Sequence, residues 1–141
     1  MPWCYAVPIR PACQAAVVAA AGQSLRLAVA DNDARRERGL MGVKVVPPGE
    51  GMIFVFADGD RTRGFWMKDT ITPLDMIFVA SDGTVTGTAE NVAATKPGTP
   101  EAKIARRSGV GRYVIELRAG GVKAAGIEPG AHLAVPYIGA Q

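Results

Sequence analysis

Residues that bind metals or act as nucleophiles are scarce in this chain of 141 residues. Histidine occurs once, at His132, and cysteine twice, at Cys4 and Cys13. The two cysteines lie close to the start of the chain and lack the paired spacing of a zinc knuckle. A single histidine is more often hydrogen-bonded or exposed than a ligand, so we predict no metal site. Cys4 and Cys13 could form a disulfide in an oxidising compartment or remain free thiols in a reducing one.

Motifs for a bound cofactor or a covalent mechanism are also missing. The sequence has no serine or cysteine in a nucleophile elbow, no phosphate loop and no dinucleotide fingerprint. The glycines at 109–111 and 119–121 lack the strand, spacing and helix context that a phosphate loop requires. We therefore predict no cofactor.

Long hydrophobic runs are absent as well. No apolar run approaches the roughly 20 residues that span a bilayer, so we expect no integral membrane segment. The apolar segment 15–21 is too short and too rich in alanine to be the core of an export signal. An export signal of the natural protein is therefore expected to be absent or already removed.

Positive charge is present without being concentrated. The formal net charge is +3, and the basic residues fall into separate clusters at 35–38, 61–63 and 106–107. Nucleic-acid binders usually concentrate charge on one face and interleave it with exposed aromatic residues. Here the aromatic residues lie mostly inside apolar runs. We therefore predict no nucleic-acid partner.

The composition favours one folded domain. Hydrophobic residues make up 48% of the chain and charged residues 21%, values that are ordinary for a soluble globular protein. Residues 1–14 contain three of the ten prolines and show no periodicity, which predicts an extended N-terminal arm. We expect residues 15–141 to form a single β-rich domain. The sequence leaves the oligomeric state open.

Alternation of apolar and polar residues predicts a mainly β fold. Residues 25–30 show the period of two that is typical of a half-buried strand, and residues 52–56 are apolar on both faces, which indicates a central strand. Asp31-Asn32-Asp33 can cap a short helix, with Gly42 available to end it. The segment 94–111 shows no period and predicts a mobile loop. Strands are predicted at 15–20, 25–30, 52–56, 64–68, 74–80, 85–91, 113–117 and 132–138, and short helices at 34–41 and 119–125. Such short strands and brief helices predict an antiparallel β-sandwich or barrel with one or two short helices.

The apolar segment 65–79 is unusual because it contains charged residues, among them Lys68 and Asp75. A charge among buried groups costs several kcal/mol unless it is paired, hydrogen-bonded or used by a ligand. If Lys68 and Asp75 share one face of a hairpin, they could orient an anionic or hydroxylated ligand over the indole of Trp66. Alternatively, they form a partly buried ion pair that fixes the strand register.

A second charged pair could likewise be either structural or part of a binding site. Arg38, on the predicted helix, and Glu116, in the strand 113–117, could clasp two layers of the fold or flank one pocket. An enzyme would use Asp75 and Glu116 as general acid and base, with Lys68 as an electrostatic stabiliser. Without a nucleophile, metal or cofactor motif, these residues favour binding over catalysis.

Several blocks of the sequence occur together in one known family. They are Glu37-Arg38-Gly39-Leu40-Met41, residues 51–56, Phe65-Trp66-Met67-Lys68-Asp69-Thr70, residues 73–78, residues 113–117 with Ala119-Gly120, and Gly126-Ile127 with Gly130. Over about residues 24–135 the chain resembles the bacterial and archaeal domain-of-unknown-function family 192. The resemblance implies a fold and no established activity. Many relatives look exported, so it favours the periplasm or envelope. The candidate ligand-binding residues are Arg38, Trp66, Lys68, Thr70, Asp75 and Glu116.

Three functions remain open from the sequence. The favoured one is a non-enzymatic domain that binds a small polar ligand or an envelope partner in a cleft near Trp66, Lys68 and Asp75. The others are a hydrolase or lyase that uses Asp75 and Glu116, and a structural or protein-interaction module. Exposure of Lys68 in a concave pocket separates the first two from the third.

Overall fold

The computed structural model describes residues 15–20 and 22–136. Its strands are β1 Ala15–Ala20, β2 Gln23–Ala30, β3 Glu50–Val55, β4 Arg61–Trp66, β5 Leu74–Val79, β6 Val85–Val92, β7 Arg106–Gly111 and β8 Tyr113–Arg118. Its helices are α1 Asp33–Arg38 and α2 Gly121–Ala125, and a short 3-10 turn spans Glu101–Lys103. This composition confirms the prediction of a mainly β fold with short helices. The predicted arm at 1–14, with Cys4 and Cys13, lies outside the described residues.

The strands form two sheets. Six of them make one large sheet in the order β1-β2-β3-β8-β5-β6, and β4 pairs with β7 in a separate two-stranded sheet. The large sheet has two edge strands in the described part of the chain, so it forms a layered sandwich and not a closed barrel. Its pairs are antiparallel except for β2 and β3, which run parallel. A parallel pair needs a long crossover, and residues 31–49 with α1 supply it.

Both faces of the large sheet are buried, which explains why its central strands are apolar throughout. On one face, Tyr113, Ile115 and Leu117 of β8 pack in a core that includes α2. On the other face, Val114 of β8 and Phe54 of β3 belong to a second core, which lies under the chain that follows α1 and under the small sheet. Successive residues of β8 therefore serve opposite cores.

Helix α1 has clear start and stop signals. The Asn32 side chain accepts a hydrogen bond of 2.9 Å from the Arg35 N–H, so one residue of the predicted capping cluster caps the helix. The helix ends at Gly39, three residues before the predicted Gly42. Gly39 has a φ of 52° and donates its N–H to the Arg35 carbonyl at 2.9 Å. This early stop turns the chain over the second core.

The prediction of an unstructured loop over residues 94–111 is wrong in its last third. Residues 106–111 form β7, which pairs antiparallel with β4. Its single large apolar residue, Val110, leaves no alternation for a sequence pattern to show. Close packing accounts for its glycines, because a Cβ at Gly109 would lie 2.3 Å from Cγ of Phe78.

The predicted last strand, at 132–138, is also wrong over its described part. Isolated bridges, one of them between Thr84 and His132, are formed there instead of a ladder. The apolar side chains of Leu133 and Val135 produced the strand pattern, and both are buried in the core beside α2. Alternation here reflects burial of an irregular segment.

Candidate functional site

A cleft of about 320 Å³ opens between the large sheet, α1 and β4. It contains five of the six residues that the sequence singled out, and Asp75 is the exception. Residues 36–41 form one wall, and residues 64–66 with Lys68 and Thr70 form the other. Phe54, Phe56 and Glu116 also line it. The cleft is therefore bounded by three parts of the chain that are distant in sequence.

Glu116 is the buried charged residue of this cleft, with 4% of its surface exposed. Its register partners are Met52 on β3 and Met76 on β5. Among the described residues, no hydrogen bond or ion pair engages its carboxyl group. Burial raises the pKa of Glu116 to about 8. The group is thus mainly a neutral carboxylic acid at pH 7, able to donate one hydrogen bond and accept others.

Gly39 lets the end of α1 come close to this carboxyl. A Cβ at this position would lie 3.3 Å from the Phe54 ring and 4.0 Å from Oε1 of Glu116. The φ of 52° is also in the left-handed region that favours glycine. The helix end therefore covers Glu116 without a side chain between them.

Two arginines of α1 line the cleft in different ways. Arg36 is engaged, because its guanidinium donates to the Val55 carbonyl at 2.7 Å and to Asp33 at 2.8 Å. Arg38 is half-buried, and its Nε lacks a hydrogen-bond partner. No ion pair joins Arg38 to Glu116 in the described chain. The two residues thus flank one pocket and do not form the clasp that was the other sequence hypothesis.

Trp66 has two cations close to its indole ring. The Lys68 Nζ lies 5.2 Å from the ring centroid, and the Arg106 Cζ lies 4.9 Å from it. Both distances are within the range of cation–π attraction. Trp66 is half-buried while Lys68 is exposed. Trp66 also lines two neighbouring cavities, of about 370 and 600 Å³.

Thr70 fixes the turn that carries Lys68. Its buried hydroxyl donates to the Lys68 carbonyl at 3.0 Å, and its N–H donates to the Met67 carbonyl at 3.1 Å. Asp69, inside this turn, has a φ of 53°. Aspartate and asparagine tolerate this left-handed conformation better than most residues. Thr70 and Asp69 therefore hold Lys68 at the rim of the cleft.

Asp75 lies on the opposite face of the large sheet and does not meet Lys68. Its fully buried carboxylate accepts backbone hydrogen bonds from Asn91 at 2.8 Å, Gly120 at 3.1 Å and Val122 at 3.0 Å. These donors tie the start of α2 and a residue with a φ of 52°, Asn91, to β5. Asp75 is therefore a structural anchor, with three protein partners.

The idea of a Lys68–Asp75 hairpin fails because the two strands around them are not neighbours. β4 pairs with β7 in the small sheet, whereas β5 lies between β8 and β6 in the large one. Strand register also separates Asp75 from Glu116. Asp75 shares a face with its partner Leu117, and Glu116 shares the other face with Met76. The two carboxyl groups cannot act together on one substrate.

Some cleft residues were not singled out from the sequence. Phe54 and Phe56 are two apart in the predicted central strand, and this spacing is the signal that could have placed them on one face. Arg106 lines a neighbouring cavity and not the cleft, and it belongs to a basic doublet in the predicted loop, so nothing in the sequence linked it to Trp66.

In residues 15–20 and 22–136, no helix is long and apolar enough to cross a membrane. Nor does this part of the chain bring three or more His, Cys, Asp or Glu side chains together in a way that could hold a metal ion.

Comparison with known proteins identifies relatives without an established activity. Residues 16–135 match the model of family DUF192, described as "Uncharacterized ACR". A crystal structure from Sinorhizobium meliloti 1021, of a protein provisionally named a transcription regulator, is 35% identical, with a TM-score of 0.72 over 84% of this chain and 90% of that one. A protein of unknown function from Novosphingobium aromaticivorans DSM 12444 is 28% identical, with a TM-score of 0.75 over 90% of this chain and 89% of the other. No curated protein matches.

Proposed function

Because the chain belongs to DUF192, a family without an established activity, we propose its function from the cleft: it binds a small polar ligand there. In this proposal the ligand rests against the indole of Trp66. Arg38, Lys68 and Glu116 supply the polar contacts. Asp75 is not part of the site, because its carboxylate already has three backbone partners on the other face of the sheet.

The observation that carries the proposal is the carboxyl of Glu116, which is buried in a cleft and engages no described residue. Placing an acid in so buried a position costs free energy, because little water is left to solvate it, so folded proteins rarely keep one without a use. Replacement of Glu116 by an apolar residue would avoid that cost. A ligand that supplies the missing hydrogen bonds gives a reason for retaining the acid.

The shape and composition of the cleft agree with a small ligand. Its volume of about 320 Å³ lies at the lower end of the range for small-molecule pockets. Aromatic rings of Phe54, Phe65 and Trp66 offer apolar surface, and a few polar groups converge on it. Such a combination is typical of binding sites in general.

The experiment is a thermal-shift screen of sugars, carboxylic acids and other metabolites, followed by tryptophan fluorescence. The chain has two tryptophans, so Trp3→Phe makes Trp66 the single reporter. A ligand of the cleft should raise the melting temperature in a concentration-dependent way and change Trp66 emission. Lys68→Gln should weaken its binding.

Lys123→Gln is the matched control. Lys123 lies on the exposed side of α2, which packs against the other face of the large sheet. Its replacement should leave ligand affinity unchanged. A screen without any hit, or hits that are equally sensitive to both lysine variants, would contradict binding in the cleft and favour a structural module.

A further inference from the structure

Two polar side chains without partners among the described residues line the same cleft, and together they define the chemistry of a ligand. One is the carboxyl of Glu116, buried and engaged by no described residue. The other is the guanidinium of Arg38, none of whose nitrogens donates a hydrogen bond to a described residue. Both residues line the cleft, although no ion pair joins them. A ligand group that satisfies both must accept a hydrogen bond from Arg38.

The charges around the cleft favour an anion. Arg36, Arg38 and Lys68 line it with three positive charges, of which that of Arg36 is paired with Asp33, and Glu37 supplies one negative charge. The strands on either side of Glu116 contribute no charge beside it, because its register partners are Met52 and Met76. With Glu116 protonated and Arg36 paired with Asp33, the lining therefore carries a net positive charge of one, counted as two unpaired cations and one anion.

We infer that the ligand carries a carboxylate group, which binds between Glu116 and Arg38. This inference rests on the proposed function. The ligand carboxylate accepts one hydrogen bond from the neutral acid of Glu116 and a charge-assisted one from the Arg38 guanidinium. Its remaining part packs against Trp66 and the phenylalanines of the cleft. A neutral hydroxylated ligand would leave the positive charge of the lining uncompensated.

Proton linkage follows from this arrangement. An ionised Glu116 would repel the ligand carboxylate, so binding requires Glu116 to keep its proton. Since burial raises the pKa of Glu116 to about 8, affinity should be constant from mildly acidic to neutral pH and fall above about pH 8. The limiting fall is about tenfold per pH unit.

The test uses matched pairs of probes: benzoate with benzamide, nicotinate with nicotinamide, and D-glucuronate with D-glucose. Titration calorimetry at about pH 6.5 in a cationic buffer should show that the carboxylate of at least one pair binds about tenfold more tightly than its neutral partner. Probe concentrations of about 10 mM detect even millimolar affinities. For that carboxylate, affinity should fall between about pH 8 and pH 9.5.

Glu116→Gln should abolish that fall while keeping affinity at neutral pH, because glutamine donates a hydrogen bond and does not titrate. Glu37→Gln, a change of an exposed acid in the same cleft wall, should keep the fall. Arg38→Gln should lower the affinity for the carboxylate probe more than the affinity for its neutral partner.

Three results would overturn the inference: neutral probes that bind as tightly as carboxylates, no binding by any of the three carboxylates, or an alkaline fall that persists in Glu116→Gln. If neutral compounds still bind in the cleft by the Trp66 test, the proposed binding function stands and the carboxylate assignment alone fails. If no compound binds, both fail.

Discussion

Replacing Glu116 by glutamine should make the stability of the protein much less dependent on pH between about 5 and 9. In the folded protein the carboxyl keeps its proton up to a pKa of about 8, whereas an unperturbed glutamate releases it near 4.5. Between these values the folded state binds more protons than the unfolded chain. Raising the pH therefore lowers the free energy of unfolding. The stabilising effect of the neutral acid is complete below about pH 4.5 and is lost as pH rises through 8.

The size of the effect follows from the same two values. A difference of about 3.5 pH units, at about 1.4 kcal/mol for each, gives an upper limit of about 5 kcal/mol. Water that enters the cleft when Glu116 ionises makes the actual change in the free energy of unfolding smaller than this limit. Even half of this amount is a large share of the 5–15 kcal/mol that stabilises a typical domain. The wild-type protein should thus lose stability steadily from about pH 5 to pH 8, while Glu116→Gln should not.

Urea unfolding at about pH 5, 7 and 9, followed by circular dichroism, measures this difference. The free energy of unfolding of Glu116→Gln, relative to that of the wild type, should rise by about 2 kcal/mol or more between pH 5 and pH 9. Glu37→Gln controls for the loss of an acid at an exposed position of α1 and should follow the wild type. Parallel stability curves for Glu116→Gln and the wild type would refute the reasoning.

Three further predictions concern the fold. Asp75→Asn should lower the free energy of unfolding, measured in urea, by about 1–3 kcal/mol, because an amide cannot accept hydrogen bonds from all three backbone donors as the carboxylate does. An unchanged unfolding midpoint would contradict the anchor role. Gly109→Ala should lower the free energy of unfolding by about 1–3 kcal/mol, because its Cβ would overlap the Phe78 ring. The control Gly87→Ala, with open space around it, should lower it less. Equal losses would argue against close packing of β7 on β5. Asn32→Ala should cost about 1 kcal/mol through loss of the α1 cap, and thermal unfolding no different from the wild type would show that the cap is not made.

The sequence was informative wherever burial and local geometry determine structure. Residues 52–56 are apolar at every position, and β3 lies between two other strands of a sheet that is covered on both sides. The capping cluster at 31–33 likewise placed the start of α1. Such features depend on neighbouring residues alone, so a pattern along the chain suffices to predict them.

Strand pairing could not be read in the same way. The segments 64–68 and 74–80 follow each other in sequence and seemed to form a hairpin, but β4 leaves the large sheet and pairs with β7, about forty residues later. Alternation shows which residues share a face of one strand and not which strand lies beside it. For this reason the sequence did not show that Asp75 lies on the face of the large sheet opposite the cleft.

The central claim is that Glu116 is a neutral acid in the cleft at physiological pH. A carbon-13 NMR titration of its side-chain carboxyl, assigned by comparison with Glu116→Gln, tests this claim most directly. We predict a midpoint near pH 8, far above the ordinary value of 4.5. A midpoint near 4.5 would contradict the account, because it would show that the carboxyl is hydrated or paired in solution.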